Sequence, residues 1–219
     1  MTKLVKGNQA MTETNKTIYI LLTDTGTVLT RIIKWYTNAP YNHVSIVFDE
    51  KLDEIYSFGR KKPRNPLIAG FIREDVYNGT FRYFDNTRCL LLKMVVSSNE
   101  YDRIREVIQS FTMNKEKYSY NLLGLVGVAV RYPINQKNKY FCSQFVAEVF
   151  KKSGLNLWDI PSALISPNDF LMHSRFELVY EGSLYNYPLL DHGMLSIPIV
   201  SPGYTFRQPF ELLKRKLTL

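Results

Sequence analysis

The sequence predicts an α+β fold, on three observations. β-Branched and aliphatic runs come in neighbouring pairs joined by turn-forming residues, which reads as antiparallel strands. Helical spacing appears in separate stretches rather than alternating with single strands, so βαβ units are not expected. No internal repeat or long linker divides the 219 residues, a length suited to one domain with a full core. The expected organisation is a flexible N-terminal segment over residues 1–15, with Met11 an alternative start, and a single domain over 16–219 ending in a basic tail.

The elements follow in chain order. Thr17–Thr23 is β-branched and aliphatic and reads as a strand. Asp24 or Thr25 caps a helix over about Val28–Tyr36, with Ile32, Ile33 and Trp35 inward, and Pro40 ends any helix before His43. Val44–Phe48 and Glu54–Phe58 form a hairpin around Asp49–Asp53. Gly59–Val76 reads as a basic, proline-containing loop. Thr80–Phe84 and Cys89–Val96 are expected to pair around Asp85-Asn86. Ser98 or Asn99 then caps a helix in which Ile104, Val107, Ile108 and Phe111 fall at helical spacing. Leu122–Val130, apolar all round, is expected to be a buried helix. Cys142–Lys152 is a helix closed by Gly154. Ser166-Pro167-Asn168-Asp169 combines a cap, a first-turn proline and an acid, a strong helix start. Phe176–Tyr180 is the last strand, and residues 185–205, with Pro188, Pro198 and Pro202, read as extended surface chain.

Composition narrows the function classes. The net charge is +8, from 28 Lys and Arg against 20 Asp and Glu, with a pI near 9.3, which favours anionic partners. Basic residues cluster only at Arg60–Arg64 and Leu213–Lys216 and carry no nucleic-acid-binding signature, so nucleic acid is not expected as a partner. The first ten residues hold no apolar stretch fit for a signal-peptide core, and the longest apolar tract, around Leu122–Val130, is too short to span a bilayer. A cytoplasmic location is expected. Neither a cofactor nor a metal is signalled: two cysteines and three histidines show no Cys-x-x-Cys or His-x-x-x-His spacing.

Each cysteine is read on its own, since two make no disulfide framework. Cys89 lies in Cys89-Leu90-Leu91-Leu92, where a small buried hydrophobe explains it. Cys142 opens a helix, where unsatisfied backbone N–H groups and the helix dipole stabilise a thiolate. It shares the apolar face with Phe145, Val146 and Val149, so its sulfur is expected to face the sheet. Of the histidines, His173 and His192 read as solvent or cap residues, whereas His43 stands at a strand entrance, where one ring nitrogen can face a cleft. Ser57 on the neighbouring strand is the candidate to orient His43. Glu54 or Tyr56 takes its place if the register slips.

These pieces together resemble the NlpC-type papain-like cysteine peptidases, in their circularly permuted YiiX-like branch. The matching segments are Asn42-His43-Val44-Ser45-Ile46-Val47, Glu54-Ile55-Tyr56-Ser57-Phe58-Gly59-Arg60, Tyr140-Phe141-Cys142-Ser143-Gln144-Phe145-Val146 and Ser166-Pro167-Asn168-Asp169-Phe170. The resemblance spans roughly residues 17–180 and puts His before Cys, the order permutation produces. It implies an antiparallel sheet or partial barrel with the nucleophile helix packed on it. It also implies Cys142 as nucleophile, His43 as base, part of an oxyanion hole from the Cys142 N–H, and a third polar residue in the register of Ser57. A serine there departs from the His, Glu or Gln usual in the family. Residues 60–139 read as the variable part that builds specificity.

Three functions follow as expectations. The first is a cysteine amidase or peptidase acting on a small peptide, such as a cell-wall fragment, with Arg60–Arg64 meeting substrate carboxylates. The second is a lipid-directed acyltransferase or thioesterase, its Phe206–Leu217 segment on an anionic surface. The third is a binding module with an incompetent site, supported by Ser57 alone. The oligomeric state is not legible.

Overall fold

The computed structural model describes residues 14–25, 40–62 and 65–196. The expected helix over Val28–Tyr36 and the basic tail lie outside these residues. The described part is a mixed α+β fold built on one antiparallel sheet. Its strands are β1 (Asn15–Asp24), β2 (His43–Val47), β3 (Ile55–Lys62), β4 (Asn65–Glu74), β5 (Arg88–Ser97) and β8 (Glu177–Ser183), in the order β4-β3-β2-β1-β5-β8. Two further strands, β6 (Ser119–Tyr120) and β7 (Lys139–Tyr140), form a short parallel pair.

Two expectations about strands need correction. The basic segment Gly59–Val76 is not a loop: β3 runs on to Lys62 and pairs with β4 through Ile55↔Glu74, Ser57↔Ile72 and Gly59↔Gly70. Its charges and Pro66 hid a hairpin at the sheet edge, where an exposed strand tolerates both. Thr80–Tyr83 is a 3₁₀ turn rather than a strand, and β5 pairs instead with β1, from Asn15↔Ser97 to Asp24↔Arg88, and with β8. Residues 60–139, expected to be variable decoration, thus supply two strands of the sheet.

The helices are α1 (Ser98–Met113), α2 (Leu122–Ala129), α3 (Cys142–Lys152), α4 (Pro167–Leu171) and α5 (His192–Leu195). A capping box between Ser97 and Glu100 starts α1, one residue before the expected cap. A second box, between Ser166 and Asp169, starts α4. Gly154, at φ 88°, takes the left-handed position after α3.

Strand alternation divides the core into two. On one face Ile20, Val44, Ile46, Phe58 and Leu92 meet α1 and α3. Phe145 of α3 sits there among rings, 5.1 Å from both Phe58 and Phe111 and 5.6 Å from Phe71 between centroids. On the other face Leu21, Val47, Ile55, Cys89 and Leu91 are covered by Phe81, Leu184, Tyr187 and Leu190. The chain after Leu184 therefore wraps that face as far as it is described.

Helix α2 is present but is not buried. Leu122, Leu123, Val126 and Val130 are all exposed. Its inner side is made of Gly124 and Gly127, both close against neighbouring atoms. No helix of the described residues is long and apolar enough to cross a membrane.

Candidate active site

Cys142 is the first residue of α3. The preceding Phe141 offers no side-chain cap, so the helix's first N–H groups remain available to other acceptors. The thiol uses one of them: the Ser143 N–H points at it, as does the Val44 N–H of β2. Val44 is free to do so because the β2–β3 ladder covers only Ile46↔Tyr56 and Val47↔Ile55. Phe48, four residues on, sends its N–H to the Glu54 carbonyl, just before β3. Val44 faces the same side, at a level where that ladder has ended, and meets sulfur instead. The sulfur also lies 3.9 Å from the Asn42 carbonyl oxygen.

His43 is in hydrogen-bonding contact with this thiol. Its Nε2 lies 2.7 Å from Glu74 Oε1, leaving Nδ1 for the sulfur. The imidazole is partly exposed and the carboxylate nearly buried, at 19 % and 8 %. Glu74 closes β4 on the sheet face that carries His43 and Ser45 of β2 and Ser57 of β3. Ser57 donates to its Oε1 at 2.7 Å and Ser45 to its Oε2 at 2.8 Å.

The expected orienting residue is thereby displaced. The hydroxyl of Ser57 holds the carboxylate, and the carboxylate holds the ring. Glu54 and Tyr56, the alternatives, bond to each other at 2.9 Å, and Glu54 pairs with Arg105 at 2.6 Å. Glu74 lay in the segment read as a loop. Its sequence signal was the pair Ser45 and Ser57: small hydroxyls at inward positions of apolar strands need a shared acceptor. Gly59 makes room for it, since a Cβ there would stand 3.3 Å from Glu74 Oε1 and 3.0 Å from Ile72 Cδ1.

The electrostatics follow from these contacts. Burial opposes the charged imidazole, but the Glu74 carboxylate and the hydrogen bonds to Cys142 and Glu74 overcome it and push the His43 pKa up to about 10. Burial opposes the thiolate too, yet the hydrogen bond and charge of His43 and the Val44 and Ser143 N–H groups bring the Cys142 thiol below its ordinary value. Glu74 stays below the usual carboxylate range against its burial, through the charge and hydrogen bond of His43 and the two serines. All three shifts favour the charged forms: thiolate, imidazolium and carboxylate. Cys89 is the contrast: buried at 1 % exposure, it is pushed up to about 12, chiefly by desolvation.

Tyr120 is a fourth member that the sequence did not disclose. The β6–β7 pairing Tyr120↔Tyr140 sets it beside Phe141 and Cys142, where its hydroxyl meets both the thiol and the Cys142 N–H. Burial and the neighbouring thiol charge push its pKa well above the usual phenol value. A cleft of about 360 Å³ opens beside Glu74, lined among others by Arg60, Lys61, Arg73, Asp75 and Phe81. His173 is held by the Leu157 carbonyl at 2.8 Å, and His192 begins α5. Among the described residues no cluster of His, Cys, Asp and Glu forms a metal site.

Comparison of the sequence with models of known protein families gives no match, and comparison with curated proteins gives none either.

Proposed function

We propose that this chain is a cysteine hydrolase of the amidase or peptidase kind, with Cys142 as nucleophile, His43 as general base and acid, and Glu74 orienting and charging the imidazole. What carries the reading is the series itself: a thiol at a helix start, in contact with a histidine whose far nitrogen lies 2.7 Å from a buried carboxylate. Structural cysteines have no use for such a relay, whereas nucleophilic ones require it. The His strand preceding the Cys helix supports the permuted papain-like arrangement as the finer description of the fold.

The chemistry runs in two halves. The Cys142 thiolate attacks an amide carbonyl, and the developing oxyanion takes donors from the Cys142 N–H and the Tyr120 hydroxyl. The His43 imidazolium gives its proton to the leaving amine, which departs as the C–N bond breaks and the thioester forms. Water, deprotonated by His43, then attacks the thioester and releases the carboxylic acid and the thiol. Arg60, Lys61 and Arg73 in the adjoining cleft favour a substrate bearing a carboxylate, such as a small peptide derived from cell wall, met in the cytoplasm.

The binding-module reading rested on a weak third residue, and Glu74 supplies the charge that Ser57 lacks. The lipid-directed reading rested on Phe206–Leu217, outside the described residues. An activated acyl ester provides the test. Intact-mass analysis after brief incubation is expected to show one acyl group on the wild type and on Cys89→Ala. It is expected to show none on Cys142→Ala. Labelling of Cys142→Ala equal to the wild type removes the nucleophile and the proposal with it.

A further inference from the structure

Helix α2 is built inside out. Its buried residues are glycines, with Leu125 and Val128 half-buried beside them: a Cβ at Gly124 would lie 2.4 Å from Nδ2 of the capping Asn121, and one at Gly127 2.5 Å from Tyr132 O. Asn121, Phe141 and the chain at Tyr132 and Ile134 close on these glycines and leave no room there for side chains. Four large residues point the other way: Leu122 at 44 %, Leu123 at 56 %, Val126 at 56 % and, just past the last helical residue, Val130 at 63 % exposure. Their spacing places them on a single stripe. A helix packed for burial in its own domain puts leucines inward, so this stripe is made for something outside.

The surroundings say what. Between residues 115 and 139 the sequence holds five cations, Lys115, Lys117, Arg131, Lys137 and Lys139, against one acid, Glu116. All but the half-buried Lys139 are exposed. The β6–β7 pairing Ser119↔Lys139 brings the two ends of this segment together at the base of α2. The helix itself carries no charge. An uncharged apolar stripe with a predominantly basic rim fits anionic headgroups over acyl chains. A protein partner would call for a rim of mixed sign and an interface depleted in lysine.

We propose that α2 docks this chain on an anionic membrane surface, Leu122, Leu123, Val126 and Val130 entering the headgroup–acyl boundary while the surrounding lysines and Arg131 meet the headgroups. The helix starts two residues after Tyr120, so docking holds the bilayer at the rim of the candidate active site. The inference stands independently of the reaction catalysed there.

Co-sedimentation of the full chain with phosphatidylcholine vesicles, with and without phosphatidylglycerol, tests it. Binding to the anionic vesicles is expected, weakening as salt rises. The double substitution Leu123→Asp/Val130→Asp is expected to weaken it about tenfold or more, with the melting temperature and the Cys142 alkylation rate unchanged. Absence of binding to anionic vesicles overturns the proposal. So does binding that the double variant retains in full, which would place the contact elsewhere. A wild-type dimer in sedimentation equilibrium that the variant dissolves, without vesicle binding, would assign the stripe to a second copy.

Discussion

Three hydrogen bonds converge on Glu74 from two strands: His43 and Ser45 on β2, Ser57 on β3. A buried carboxylate held this way keeps its charge, and that charge sustains the imidazolium beside the thiol. Glu74→Gln preserves shape and removes the charge. It is expected to lower the His43 pKa toward its ordinary 6.5 and to slow alkylation of Cys142 at pH 6 by about tenfold or more, since one pKa unit is a tenfold change. Ser57→Ala removes one donor to the same carboxylate and is expected to slow it less. If the serine proves the more costly loss, Ser57 rather than Glu74 orients the ring. Turnover needs both thiolate and imidazolium. It therefore rises with pH through the depressed thiol pKa and falls as His43 loses its proton near pH 10. Tyr120→Phe leaves the thiolate's other donors in place and is expected to lower kcat by roughly tenfold to a hundredfold with little change in KM, the signature of a transition-state donor.

Helix α3 is aimed by its packing. Phe145, one turn after Cys142, is fully buried in the ring cluster with Phe58, Phe71 and Phe111. Phe145→Ala is expected to cost about 3–5 kcal/mol of unfolding free energy in urea titration. A loss under 1 kcal/mol would mean the helix is placed by other contacts. At this scale the sequence was readable wherever local chemistry spoke alone. The caps at Ser166 and Gly154, the hairpin at Asp49–Asp53, and the helix opened by Cys142 all stand as read. The misreadings are tertiary. β4 looks like a basic loop because edge strands carry charge and proline, and α2 looks buried because the pattern does not say that glycines take the inner side. Glu74 was missed with β4, and Tyr120 because two residues of parallel pairing leave no periodic trace.

In the whole molecule, the candidate site lies where the two sheet faces meet. The nucleophile arrives from the helical face and the His43–Glu74 pair from the opposite one, through the gap left by the short β2–β3 ladder. Such an arrangement gives two half-sites on separately packed layers: the Cys142 helix start and the His43 strand entrance are legible in sequence, whereas Glu74 and the meeting of the two come only with the fold. The central claim is that the layers meet as a thiolate–imidazolium pair. It is tested most directly by the pH dependence of Cys142 alkylation with iodoacetamide, in a Cys89→Ala background, with and without His43→Ala. The expected result is rapid reaction at pH 6 that slows sharply when His43 is lost. Reaction as an ordinary thiol with a pKa of about 8.5, unchanged by His43→Ala, would contradict it.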